Sequence, residues 1–105
     1  MPNILSRIFG PANLASGTST PFTGTTGHTY TLRNIRVVNG SAAAILFKLG
    51  IGGVLDANLI IPQISIPAGG ILNHDCFIVM AGTETLQANT GGTGLTLTVS
   101  GLDQS

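Results

Sequence analysis

The sequence predicts an all-β fold: a β-sandwich of about seven or eight short antiparallel strands, preceded by an extended N-terminal arm. Three observations carry this. β-Branched and apolar residues alternate with polar ones at a period of two, most clearly in Leu95-Thr96-Leu97-Thr98-Val99-Ser100. Turn signals made of Gly, Pro and Asn recur every ~8–12 residues, the spacing expected of a sandwich or barrel. Helical periodicity is absent apart from a weak trace over Ile4 to Phe9. A jelly roll is one way for such strands to close. With 105 residues the chain has the size of one domain.

Residues 1–27 read as an arm. "GPANLASGTSTPFTGTTG" has loop chemistry, with Pro11 and Pro21 as breakers. Ahead of it, Ile4, Leu5, Ile8 and Phe9 form an apolar knot that needs somewhere to be buried, and a neighbouring subunit would serve. The sandwich is expected to occupy 28–105. Its first strand, Thr29 to Asn39, presents a parity problem. Tyr30 and Leu32 face one way, while Ile35 and Val37 fall on the opposite parity. All four reach one core face only if the strand bulges near Arg33-Asn34; otherwise it has two apolar faces.

Asn39-Gly40 is a strong turn signal, so a hairpin is expected across Asn39-Gly40-Ser41-Ala42 into a second strand carrying Ile45, Phe47, Leu49 and Ile51. Leu59-Ile60-Ile61 and Gln63-Ile64-Ser65-Ile66 follow, each stopped by a proline (Pro62, Pro67). Those prolines confine the segment to a sheet edge or to strand ends, because proline cannot donate to a ladder. After the Pro67-Ala68-Gly69-Gly70 turn come a strand over Ile71 to Met80, a short one at Thr85-Leu86-Gln87-Ala88, a glycine loop and the closing alternation from Leu95.

Composition limits the functions available. Charged residues make up 8%, against roughly 25% in an average soluble domain. The hydrophobic share is 43%, so the chain is not of the disordered class. Few charges and zero formal net charge favour association. A subunit partly covered by neighbours, a homo-oligomer, is the expectation. Four cations are too few for a nucleic-acid footprint. No stretch approaches the ~20 apolar residues of a membrane helix. The first ten residues lack a basic n-region and a continuous apolar core, so they do not read as a signal peptide. Neither nucleic acid nor a membrane is expected as a partner. A single cysteine cannot close an internal disulfide.

The most suggestive chemistry lies in Leu72-Asn73-His74-Asp75-Cys76-Phe77, where a thiol, an imidazole and a carboxylate fall together. On a strand, His74 and Cys76 share a face and Asp75 opposes them. A nucleophilic cysteine needs a base and a group that orients the base, and no residue is placed for that second role. Cys76 also falls in the apolar row Cys76, Ile78, Met80, where a small hydrophobe belongs. His74-x-Cys76 with a remote His28 matches no usual zinc spacing. A glycosidase carboxylate pair would have to come from Asp56, Asp75, Glu84 and Asp103, and the sequence prefers no two of them. Gly50-Ile51-Gly52-Gly53 and Gly91-Gly92-Thr93-Gly94 lack the following helix and Lys-Ser/Thr of a phosphate loop and read as turns. No catalytic residue, metal or cofactor is expected. Arg33, Arg36 and Lys48, read as lying on adjacent strands, are suited to pairing with carboxylates of a neighbouring subunit.

Taken together, "TYTLRNIRVVNGSAAAILFKLGIGG", "ISIPAGGIL", "HDCFIVMAGTETLQA" and "GLTLTVSGLD" resemble, over residues 27–101, the small β-sandwich structural proteins of tailed-bacteriophage virions. The matching features are strand and turn grammar rather than catalytic signatures, so the resemblance carries over no site residue. It implies a protein that coats the capsid or sits in the neck or tail. The expectation is a capsid decoration (cement) protein in the virion, assembled in the bacterial host cytoplasm and resting on the major capsid protein. A trimer is expected from shell symmetry rather than from any residue. The expected contacts are Ile4, Leu5, Ile8 and Phe9 in the arm and Arg33 and Arg36 on the strand. A neck or tail adaptor or fibre module is the alternative, and a carbohydrate-binding sandwich the second.

Overall fold

A computed structural model describes residues 5–104. Eight strands run in the order β1 (Leu5–Asn13), β2 (Gly17–Thr23), β3 (Thr29–Asn39), β4 (Ile45–Ile51), β5 (Leu59–Ile66), β6 (Ile71–Ala81), β7 (Thr85–Thr90) and β8 (Leu95–Gln104). The only helical element among the described residues is a single 3₁₀ turn, Asp56–Asn58, ahead of β5.

All pairings are antiparallel, in two four-stranded sheets ordered β1-β8-β3-β6 and β2-β7-β4-β5. The pairs β1–β8, β2–β7, β3–β6 and β4–β5 nest inside one another, as in one long hairpin folded across two sheets. The joins β3–β8 and β4–β7 complete each sheet. This is the jelly-roll connection, two Greek keys in a double sheet. The core fills the space between the sheets. Leu32, Ile35, Val37, Leu97 and Val99 come from one side, and Phe47, Leu49, Leu86 and Ala88 from the other, all fully buried.

The expected bulge in β3 is present. Its register slips between Leu32 and Asn34 against both β6 and β8, and Tyr30, Leu32, Ile35 and Val37 all reach the core. Arg33 and Asn34 are left on the outer face, Arg33 exposed and Asn34 half-buried. The edge position expected of the Pro62 segment also holds, since β5 is the outer strand of its sheet.

Two expectations are corrected. The segment expected as an arm over 1–27 is, from Leu5 on, part of the sandwich. β1 pairs with β8, β2 with β7, and both are edge strands. Edge strands tolerate the Gly, Pro and Thr that make this stretch resemble a loop. Register shifts around Phe9 and between Ser19 and Phe22 break the period of two by which strands are recognised. At Gly10 the backbone takes φ +80° and passes against the Leu97 carbonyl, so a side chain has no room there. The second correction concerns Asn39-Gly40, which does not turn a hairpin: β3 and β4 belong to different sheets. Asn39 is fully buried and joins the sheets at this corner. Its Nδ2 donates to the carbonyls of Ala43 and Ile66, each at 2.9 Å. Its Oδ1 accepts from Ser41 N at 2.9 Å and Ser41 Oγ at 2.7 Å. Arg33 and Lys48 therefore lie in different sheets, not on adjacent strands.

Candidate functional site: the outer face of the β6 edge

In β6, side chains alternate strictly. Leu72, His74, Cys76, Ile78 and Met80 turn inward; Ile71, Asn73, Asp75, Phe77 and Val79 turn outward. This separates the parts of the suggestive stretch. Cys76 packs against the core and its thiol donates to the Leu32 carbonyl at 3.3 Å. Burial raises its pKa above the ordinary 9.0, the Asp75 charge raises it further, and Arg33 opposes them. The group is a protonated thiol at neutral pH, the wrong state for a nucleophile. His28 lies at the far end of β3 and pairs through Nδ1 with Asp103 at 2.7 Å. His74 sits opposite Ile35, seven residues along, so the two imidazoles are separated by roughly 20 Å of strand. No group of three potential metal-binding side chains occurs among the described residues.

The described carboxylates are dispersed, and the side chain of Asp56 lies outside the described residues. Asp103 lies opposite Tyr30 and Asp75 opposite Asn34, four residues apart on β3. That is roughly 13 Å at strand rise, beyond the ~5–9.5 Å of a glycosidase pair. Glu84 accepts from the Ala81 N–H at 2.7 Å and closes the β6–β7 turn. Gly91-Gly92-Thr93-Gly94 forms the bend between β7 and β8, as expected, whereas Gly50-Ile51 still belongs to β4 and only Gly52-Gly53 leaves the strand.

What the fold does assemble is a surface. Across the outer face of the β1-β8-β3-β6 sheet, Arg7, Ser100, Asn34 and Asp75 lie in one transverse row. Asn34 Nδ2 donates to Asp75 Oδ1 and to Asn73 Oδ1, both at 2.8 Å. The bulge opens a recess of about 640 Å³ between Arg7, Arg33, Asn34, Asp75 and Ser100, which Cys76 and Gly101 also line. Arg36 occupies the next outer row, opposite Asn73 and Thr98. Three of the chain's four cations therefore lie on β1 and β3 of this one sheet, and none has a carboxylate partner among the described residues. Beside them the face turns apolar. Phe77 is 71% exposed, Val79 57% and Ile71 54%, three of the five exposed large hydrophobics among the described residues. The Arg33 guanidinium lies over the Phe77 ring, 5.3 Å from its centroid.

The six expected contact residues divide. Arg33 and Arg36 stand on this open face. Ile8 and Phe9 pack against the chain's own core, Phe9 with its ring 6.4 Å from Phe22, so the fold itself supplies their burial. Ile4 and the side chain of Leu5 lie outside the described residues. Arg7, Ile71, Phe77 and Val79 were not singled out by sequence reasoning. Their signal was present: Ile71 to Met80 is apolar on both parities, and only one parity can face the core.

No family model matches the chain, and no curated protein matches it. Among solved structures, it is similar to a pentameric capsid protein isolated from metagenomic phage sequences, at 15% identity and a TM-score of 0.42. A second crystal structure of a pentameric capsid protein from metagenomic phage sequences gives 14% identity and a TM-score of 0.39. The matches cover 98% of this chain but 60% and 62% of those chains, so it spans about three fifths of their length. At that distance the similarity assigns no role to any residue here.

Proposed function

We propose that this chain is a structural subunit of a phage virion, and within that class a capsid decoration (cement) protein. The observation that carries the reading is the outer face at β6, where apolar side chains and unpaired arginines stand together on a jelly roll with 8% charged residues. Such a face has a cost in water that a covering subunit removes. Double-sheet jelly rolls recur in viral capsid proteins, which supports the reading by analogy of fold. The partner is the major capsid protein, and Arg7 and Arg36 meet its carboxylates, where arginine's planar fork is favoured. Each copy contributes a small clamping energy that repetition over a symmetric shell multiplies. On the shell, copies group as trimers through contacts other than the β6 edge, and Ile4 and Leu5 remain contact residues in this reading.

Counting copies per particle by quantitative mass spectrometry tests the assignment. Copies on the order of hundreds fit a protein spread over a symmetric shell. About a dozen or fewer would instead select the neck or tail alternative, since those structures are rings on one axis. A carbohydrate-binding role finds little support. The one strongly exposed aromatic ring, Phe77, already has Arg33 across its face, where a sugar would stack.

A further inference from the structure

An antiparallel sandwich has four edges, and each offers unpaired backbone groups to another chain. Three of the four here carry an internal proline: Pro11 in β1, Pro21 in β2 and Pro62 in β5. Each removes a donor from its edge, and the register of each strand shifts in addition. The fourth edge, β6, is the longest at 11 residues and contains no proline and no lysine. Its register with β3 slips once, but its own side chains keep strict alternation from end to end. It also borders the apolar part of the outer face. The edge lacking these common protections is thus the one that displays Ile71, Phe77 and Val79.

We propose that β6 is a homotypic docking edge: it pairs antiparallel with β6 of a second copy about a two-fold axis, joining two four-stranded sheets into one of eight strands. A two-fold contact requires a self-complementary surface, and charge selects the register. With the axis at Cys76, residues whose numbers sum to twice 76 lie opposite. Asp75 of one copy then faces Phe77 of the second copy, over which that copy's Arg33 is already held. Two equivalent Asp75–Arg33 pairs form across the axis, and each guanidinium is fixed in place by stacking before the copies meet. The outer rows stay on one side of the joined sheet, because the pairing keeps odd-numbered residues opposite odd-numbered ones. Val79 is then set against Asn73 of the second copy and Ile71 against its Ala81, so each exposed apolar side chain gains a covering neighbour.

The edge and the register have separate tests, both on the purified full chain, so neither depends on the virion reading. Sedimentation velocity over a concentration series is expected to show a reversible monomer–dimer equilibrium. Phe77→Lys should abolish the dimer, and Val79→Lys on the same row is the second variant if the first fails to fold. Leu46→Lys, an exposed position on the other sheet, should leave the dimer intact. A wild-type chain that stays monomeric throughout, or folded Phe77→Lys and Val79→Lys variants that dimerise as wild type does, would overturn the docking edge. For the register, Asp75→Arg and Arg33→Asp should each weaken the dimer, and the double variant should restore it. A double variant as weak as the single ones would overturn the Cys76-centred pairing.

Discussion

Asn39 illustrates how much one side chain can hold. Its amide meets four partners at the corner where the chain leaves one sheet for the other, and none of its polar atoms sees solvent. Asn39→Ala would take this partner from the Ile66 carbonyl and the Ser41 N–H, while the Ala43 carbonyl keeps the Ser41 hydroxyl at 2.8 Å. A loss of about 3 kcal/mol in denaturant unfolding is expected, since each buried polar group left unmet costs ~1–3 kcal/mol and part is recovered by water. Cys76 gives a pH signature. Its folded pKa lies above 9.0, so between that value and the folded one the unfolded chain sheds a proton that the native chain keeps. Stability from this group is complete below pH 9 and declines as pH rises through the folded pKa. Urea titrations on the alkaline side should therefore show a steeper loss for wild type than for Cys76→Ser. Parallel curves would remove the thiol from the account. Gly101 presents a steric limit: a Cβ there would run into the Thr31 carbonyl, with Ile8 close behind.

At the scale of the strand, alternation in β6 gives a sharp contrast between neighbours. Phe77→Lys should change unfolding free energy by no more than about 0.5 kcal/mol in the monomer, because it is an exposed site. Ile78→Lys, one residue on and packed against the core, should cost about 3 kcal/mol or more by burying a charge. Equal effects would mean that the strand does not lie as described. The same strand shows what a sequence reveals and what it hides. The β3 bulge was legible because Tyr30 and Leu32 disagree in parity with Ile35 and Val37. The inward row of β6 was legible through Cys76, Ile78 and Met80. The outward row was missed because apolar residues on both parities look like one buried strand until a sheet order shows that one face is open. β1 and β2 were missed because bulges and prolines erase the period of two. Asn39-Gly40 misled for a related reason: a turn dipeptide fixes local geometry but does not specify which sheet receives the next strand.

Over the whole molecule, the all-β sandwich follows from local pattern, while the jelly-roll order rests on long-range pairing, such as Leu5 with Leu102, that no local signal encodes. The candidate face has the same origin. Arg7 comes from β1 and Arg33 and Arg36 from β3, and β8, lying between those strands, brings them into one sheet. Only Arg33 and Arg36, three residues apart on one strand, were recognisable as a pair beforehand. In the proposed role, this face exists to be covered in an assembly. The most direct measurement is a cryo-electron reconstruction of the particle with copies of the chain counted. Copies on the order of hundreds, spread symmetrically over the shell with the β6 face buried, are expected. Particles that lack the protein, or that carry it with Phe77, Val79 and Arg33 open to solvent, would contradict it.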